Sequence, residues 1–194
     1  MKSLLAAFLI TLGLISYVSA QEHTNRPPKL PPSSSTTTPN TPDAIPGTWS
    51  KFTSDEGRFS ALMPGVPEDK VETTQSEHGP YTTHLFILRQ GKNVFLIGYV
   101  DYDPSFNFDR HAELEANRDQ FVKNLNAKLL TSRHLKIDGY SALEFTADTP
   151  ERIFNSRVYM VGRRPYQIVI GSPRGVDDSI NVNRFFNSFK VSLN

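Results

Sequence analysis

The apolar positions change period along the chain, and the changes mark out its elements. YTTHLFILRQ (81–90) and NVFLIGYVDY (93–102) are long runs of β-branched, aromatic and aliphatic residues separated by Gly91-Lys92, the pattern of a hairpin. In the second run Val94, Leu96, Gly98 and Val100 share one face, and Phe95, Ile97 and Tyr99 share the other. Apolar residues on both faces predict a strand covered on both sides. Upstream, WSKF and RFSALM predict two short strands around the turn Asp55-Glu56-Gly57, and MPGVP breaks the run with two prolines and a glycine. DKVETTQSEHG is polar but β-capable, which predicts an edge strand.

Beyond residue 109 the period lengthens. In DRHAELEANRDQFVKNLNAK, Leu114, Phe121, Val122 and Leu125 fall on one helical stripe with Arg118 beside them. This predicts an amphipathic helix of about four turns, with Asp119 and Lys123 spaced for an exposed ion pair. Four strand-like segments follow: KLLTSRHLKI, YSALEFTA, RIFNSRVYMV and PYQIVIG. Asp138-Gly139 is a hairpin signal between the first two, and Gly162-Arg163-Arg164 is a turn between the last two. VDDSINVNRFFNSF predicts a second helix opened by acidic residues, and KVSL closes as a short strand or tail. The order of elements predicts an α+β fold, a mainly antiparallel sheet of about six or more strands with two principal helices packed on it.

The first 47 residues do not share these patterns. MKSLLAAFLITLGLISYVSA has one early lysine, an apolar run and a Val18-Ser19-Ala20 ending, which predicts a signal peptide over residues 1–20 cut at Ala20/Gln21. The rival, a retained anchor, is weakened by a run shorter than the ~20 residues that span a bilayer and diluted by Gly13 and Ser16. Residues 21–47, including RPPKLPPSSSTTTPNTPDAIPG, have almost nothing to bury, and this predicts a disordered tether. Residues 48–194 are then a single domain, secreted or periplasmic, with no transmembrane segment once the signal is removed.

Cysteine is absent, which excludes disulfides, a thiol nucleophile and cysteine-ligated zinc. No Asn-x-Ser/Thr acceptor is present either, an absence that suits a bacterial envelope. Without Lys2 and the rest of the signal, the chain carries 20 basic and 20 acidic residues, which argues against nucleic acid as a partner. Residues 48–109 hold 5 basic and 9 acidic side chains, and residues 110–194 hold 13 and 9. In one folded domain this asymmetry predicts internal pairing rather than a polar binding surface.

Gly57-Arg58-Phe59-Ser60, followed by Met63-Pro64-Gly65-Val66-Pro67, resembles the opening of a domain common in bacterial exported proteins. The hairpin VYMVGRRPYQIVIG and the closing Phe185-Phe186-Asn187-Ser188-Phe189-Lys190-Val191 are its other marks. Over residues 49 to 193 the chain is similar to the PsbP-like group, whose fold also includes the Mog-type nuclear transport factors. The resemblance implies an antiparallel sheet sandwiched between helices. In photosynthetic members this fold is an extrinsic accessory subunit that helps retain metal cofactors on a larger complex, and other members bind a GTPase. No motif carries those partner-binding or metal-related residues over to this chain, so the resemblance implies an accessory or binding module by analogy.

Candidate chemistry is sparse. DYDPSFNFD places Asp101, Asp103, Ser105, Asn107 and Asp109 at alternate positions, as in a calcium loop. The sixth residue is Phe106 where that loop needs glycine, and the twelfth is Ala112 where it needs glutamate. The alternative is that Asp101 and Asp103 end a strand, Asp109 caps the next helix, and Phe106 and Phe108 pack under the loop. Asp101, Asp103 and Asp109 are therefore weak metal candidates. The five histidines, at 23, 78, 84, 111 and 134, have no metal-site spacing and read as separate structural residues. Glu113 and Glu115 cannot be paired acids, because residues two apart on a helix point different ways. No G-x-S-x-G elbow is present, and GSPRG (171–175) lacks the Gly-Lys-Ser/Thr ending of a phosphate loop, so it reads as a strand-to-helix connection. No catalytic residue and no cofactor is assigned. The function expected is a non-catalytic binding or accessory domain for an envelope or extracellular partner. The alternatives are a hydrolytic or metal-dependent enzyme with a site assembled from distant residues, and a structural surface module on a stalk.

Overall fold

The alternating runs form strands of ten and twelve residues, and their two apolar faces are both covered. A computed structural model describes residues 48–76, 78–107 and 109–192. The signal and tether expectations for residues 1–47, and that for Phe108, lie outside the described residues. The element order is β1 Ser50–Ser54, β2 Phe59–Met63, β3 Glu68–Ser76, β4 Gly79–Gln90, β5 Asn93–Tyr102, α1 Arg110–Asn124, β6 Lys128–Ile137, β7 Tyr140–Asp148, β8 Arg152–Val161, β9 Arg164–Pro173, α2 Ser179–Ser188 and β10 Lys190–Val191. The larger sheet has seven strands in the order β3-β4-β5-β9-β8-β7-β6, all antiparallel. A smaller sheet, β1-β2-β10, is antiparallel as well. The fold is α+β, as the order of periodicities implies. β3 takes the edge position that its polar sequence suits.

Strand alternation sorts the core in two. On one face α1 lies over β7 and β8 and seals an aliphatic layer that includes Leu85, Val94, Leu96, Leu143 and Val169, with Phe121 edge-on to Phe145 at 5.4 Å. On the other face α2 and the small sheet close an aromatic layer of Phe59, Phe86, Phe95, Tyr99, Tyr159, Tyr166, Phe185, Phe186 and Phe189. The second cover is thus a helix plus a three-stranded sheet, where the sequence pattern suggested a helix alone. β1 and β2 bring Phe52, Phe59 and Met63 to that layer, and β10 pairs with β2 and adds Val191.

The turns follow their residues. Asp138 and Gly139 both have positive φ (51° and 85°), the primed geometry of a two-residue hairpin. Val161 pairs with Arg164, so the β8–β9 turn is Gly162-Arg163 and Arg164 already belongs to β9. Gly57 is required for space: a Cβ there would stand 2.7 Å from the rings of Phe59 and Tyr99. Asp119 takes its ion pair from Arg118 at 2.8 Å rather than from Lys123, because the neighbouring guanidinium reaches it directly.

Candidate functional site

The stretch 101–109 is held together by three separate uses of its acids. Asp101 leaves the end of β5 and meets Arg164 of β9 in a two-point pair, at 2.6 and 2.9 Å. Asp103 Oδ1 accepts from the backbone N–H of Ser105 at 2.9 Å, and the Ser105 side chain and backbone hold the Asp103 carboxyl below its ordinary value. Asp109 is the N-cap of α1: its Oδ1 accepts from the N–H groups of Ala112 (2.8 Å) and His111 (2.9 Å). These bonds, that from Ala112 first, hold the Asp109 carboxyl below its ordinary value as well. The structure therefore does not gather Asp101, Asp103 and Asp109 around one point. Phe106 is buried beneath the loop against Tyr102, with ring centroids 4.9 Å apart. Arg163 Nη2 fastens the loop by donating to the carbonyls of Asp103, Pro104 and Phe106, at 2.7 Å for the last.

Asp101 also borders a ring stack. His84 lies parallel to Tyr99 at 4.3 Å, and the Arg164 guanidinium stands 4.8 Å from the centre of the same ring. His84 Nε2 is 3.8 Å from Asp101 Oδ2. Burial, with Glu56 second, pushes the Tyr99 hydroxyl above its ordinary value, so it stays protonated. Across the sheet Glu144 receives both Arg133 and Arg157 at 2.6 Å. Burial pushes Glu144 up, but the two arginines outweigh it and the carboxyl sits below its ordinary value. The Asp101–Arg164 pair joins the acidic and basic halves of the chain, whereas Glu144 with Arg133 and Arg157, Asp148 with Arg174 and Asp138 with Lys190 pair within the second half, so pairing between the halves is less general than their opposite balances suggest.

The inner side of α1 carries acid chemistry that the sequence pattern did not reveal. Glu113 is 2 % exposed and accepts from the Tyr102 hydroxyl at 2.8 Å. Burial pushes its carboxyl up to about 7, against the smaller opposing effect of that hydrogen bond. One turn further, Asn117 is also 2 % exposed, and neither its Oδ1 nor its Nδ2 has a hydrogen-bond partner among the described residues. Alternation sets Ser156 and Gln167 on the same side of the sheet, joined by a 2.9 Å hydrogen bond. A stripe of aliphatic residues three and four apart was the visible signal, and it hides polar residues that point the same way as Leu114.

Glu115, two residues on, points outward. It meets His134 of β6, Nε2 to Oε1 at 3.3 Å, and His134 in turn stacks on His111 with ring centres 4.1 Å apart. The ligand atoms of His111, Glu115 and His134 lie within 4.8 Å of one another. The structure brings these two histidines into contact, where their sequence spacing suggested separate residues. His111 and Glu115 are four apart on α1, but their partner comes from a strand 19 residues later, a spacing that no short metal motif encodes.

A recess of about 180 Å³ is lined by Ile137, Asp138, Tyr140, Tyr159, Phe189 and Val191. Its one carboxylate, Asp138, pairs with Lys190 at 2.8 Å. No helix among the described residues is long and apolar enough to cross a membrane.

No protein-family model matches the chain, and no curated protein sequence matches it significantly. Solved structures do. The solution structure of cyanobacterial PsbP (CyanoP) from Synechocystis sp. PCC 6803 superposes with a TM-score of 0.53 at 10 % identity, covering 79 % of this chain and 98 % of that one. A crystal structure from Bacteroides thetaiotaomicron VPI-5482 is a looser likeness, with a TM-score of 0.37 at 14 % identity over 74 % of this chain and 48 % of that one. The first likeness is one of fold, and the fold of this chain is PsbP-like.

Proposed function

We propose that the chain is an exported, non-catalytic binding or accessory domain that acts at the cell envelope or outside the cell. Residues 1–20 deliver it and are removed at Ala20/Gln21, and residues 21–47 tether the domain formed by residues 48–194. The observation that carries this reading is where the polar chemistry goes. Asp101, Glu144 and Asp178 are each engaged by other residues of the chain, by Arg164, by Arg133 and Arg157, and by Asn93 and Ser172. The recess near β10 is smaller than the roughly 300–1,000 Å³ of a small-molecule site and gathers no set of acid, base and nucleophile. The PsbP-like fold supports an accessory role by analogy.

The test is affinity capture with the processed protein in extracts of its native envelope, followed by binding measurements on what is retained. Saturable binding of a defined envelope component, by a bait whose N-terminus is Gln21 in mass spectrometry, is the expected result. Turnover of an ester, phosphate or peptide substrate by the pure protein would replace the reading with a second one. That second reading, an enzyme with a site assembled from distant residues, is favoured by His111, Glu115 and His134.

A further inference from the structure

We infer that His111, Glu115 and His134 form a binding site for a divalent transition metal of the zinc class, with one coordination position left open. The donor atoms select the metal. Two imidazole nitrogens and one carboxylate oxygen suit zinc and its neighbours, whereas calcium and magnesium take sets made of oxygens. Two nitrogens and an oxygen are three of the four ligands that tetrahedral zinc needs, and the fourth falls to water or another ligand from solution.

The spacing of the donor atoms fits such an ion. Ligand atoms at about 2.0–2.2 Å from a tetrahedral ion stand roughly 3.4 Å from each other. His134 Nε2 and Glu115 Oε1 are already 3.3 Å apart, and all three ligand atoms lie within 4.8 Å. Closing the remaining distance takes at most about 1.4 Å, and turning the stacked rings edge-on to the ion takes rotations about side-chain bonds. His111 and His134 are exposed and Glu115 is half-buried, so the side chains have room for both.

The backbone beneath them need not move. Asp109 holds the N–H of His111 in the first turn, and Leu114 and Phe121 anchor α1 in the core. Arg118 Nη1 donates to Ser132 Oγ at 3.0 Å, which ties the helix to β6 two residues before His134. The pairing of His134 with Leu143 fixes the side of the sheet on which the imidazole emerges. A rigid helix–strand frame with adjustable ligands is the arrangement a surface metal site requires. This inference uses only residues of this chain and does not depend on the accessory-domain reading.

The experiment titrates the full exported chain, freed of metal by chelation, with zinc chloride in a calorimeter. Cobalt(II) is used in parallel, with its visible absorption as the readout. The expected result is one saturable equivalent. His111→Gln with His134→Gln should weaken binding at least tenfold and abolish the tetrahedral cobalt bands, and Glu115→Gln should weaken it less. In the wild-type protein, zinc should shift the imidazole NMR signals of His111 and His134 and leave those of His84 unchanged. This last measurement needs no variant, so the inference stays decidable if the double variant does not fold. Absence of a saturable equivalent, undiminished binding in the folded double variant, or zinc-dependent shifts confined to other histidines would each overturn it.

Discussion

The two faces of the seven-stranded sheet are built from different materials. The α2 side is ring against ring: Phe59 alone lies within 6.3 Å, centre to centre, of Phe52, Phe86, Tyr99, Tyr166 and Phe189. The α1 side is mostly aliphatic around the rings of Phe121, Phe145 and Phe154, and contains Glu113, Asn117, Ser156 and Gln167. Aromatic rings bury much area in fixed geometries, so the α2 side is a structural clamp with little room for adjustment. A buried carboxyl and an unpartnered amide lower stability, and a fold tolerates them only where the rest of the packing compensates. The difference teaches that the α2 side combines rings with paired charges, Arg157 over Phe186 with Glu144 and Arg164 over Tyr99 with Asp101, while a buried carboxyl with no cationic partner among the described residues, Glu113, and the helix bearing His111 and Glu115 occupy the other.

The sharpest way to break that contrast is to remove a ring from the clamp. Phe59→Ala should destabilise the fold by about 3–5 kcal/mol, the usual cost of truncating a buried aromatic. Denaturant unfolding would measure it, and a loss below about 1 kcal/mol would show that the ring cluster is not the main anchor.

The next effect lies on the α1 side and depends on pH. The Glu113 carboxyl is raised from 4.5 to about 7, so the folded state holds its proton more tightly than the unfolded chain. The stability this group contributes is complete below pH 4.5, falls as pH rises, and is lost above about 7. The full difference is on the order of 3 kcal/mol at about 1.4 kcal/mol per pKa unit. Glu113→Gln keeps an acceptor for Tyr102 but cannot ionise. It should flatten the stability profile over that pH range and make the protein more stable than wild type at pH 8. An unchanged slope in the variant would place the ionisation elsewhere.

The smallest effect concerns the start of α1. Asp109→Ala leaves two N–H groups without their acceptor and should lower the melting temperature modestly, with Asp109→Asn or Asp109→Ser retaining most of it. If Ala and Asn melt alike, the cap contributes little and α1 is held by Leu114 and Phe121 alone.

Most strands, both helices and the two-sided burial of β5 were legible because periodicity and turn residues are local signals. The aspartates of 101–109 were partly legible. The missing glycine and glutamate argued against an EF-hand loop, and the position of Asp109 ahead of a helical stripe marks it as a cap, but nothing in the sequence indicated Arg164 as the partner of Asp101. His134 was invisible as a neighbour of His111 for the same reason: which strand lies beneath a helix is decided by strand order in the sheet. Glu113 escaped because a polar residue on an apolar stripe looks the same in sequence whether it is solvated or buried.

The strand order has a kinetic consequence. Within the large sheet, β3-β4-β5 and β6-β7-β8-β9 are two trains of successive antiparallel strands, each joined to the next by a short turn. Only the pairing of β5 with β9, from Val94↔Gly171 to Tyr99↔Tyr166, brings distant parts of the chain together. Short turns close at little entropic expense, and long ones dominate the barrier to assembly. For this sheet the loop-closure entropy is therefore concentrated in one seam, through the middle of the molecule, where two locally formed halves meet.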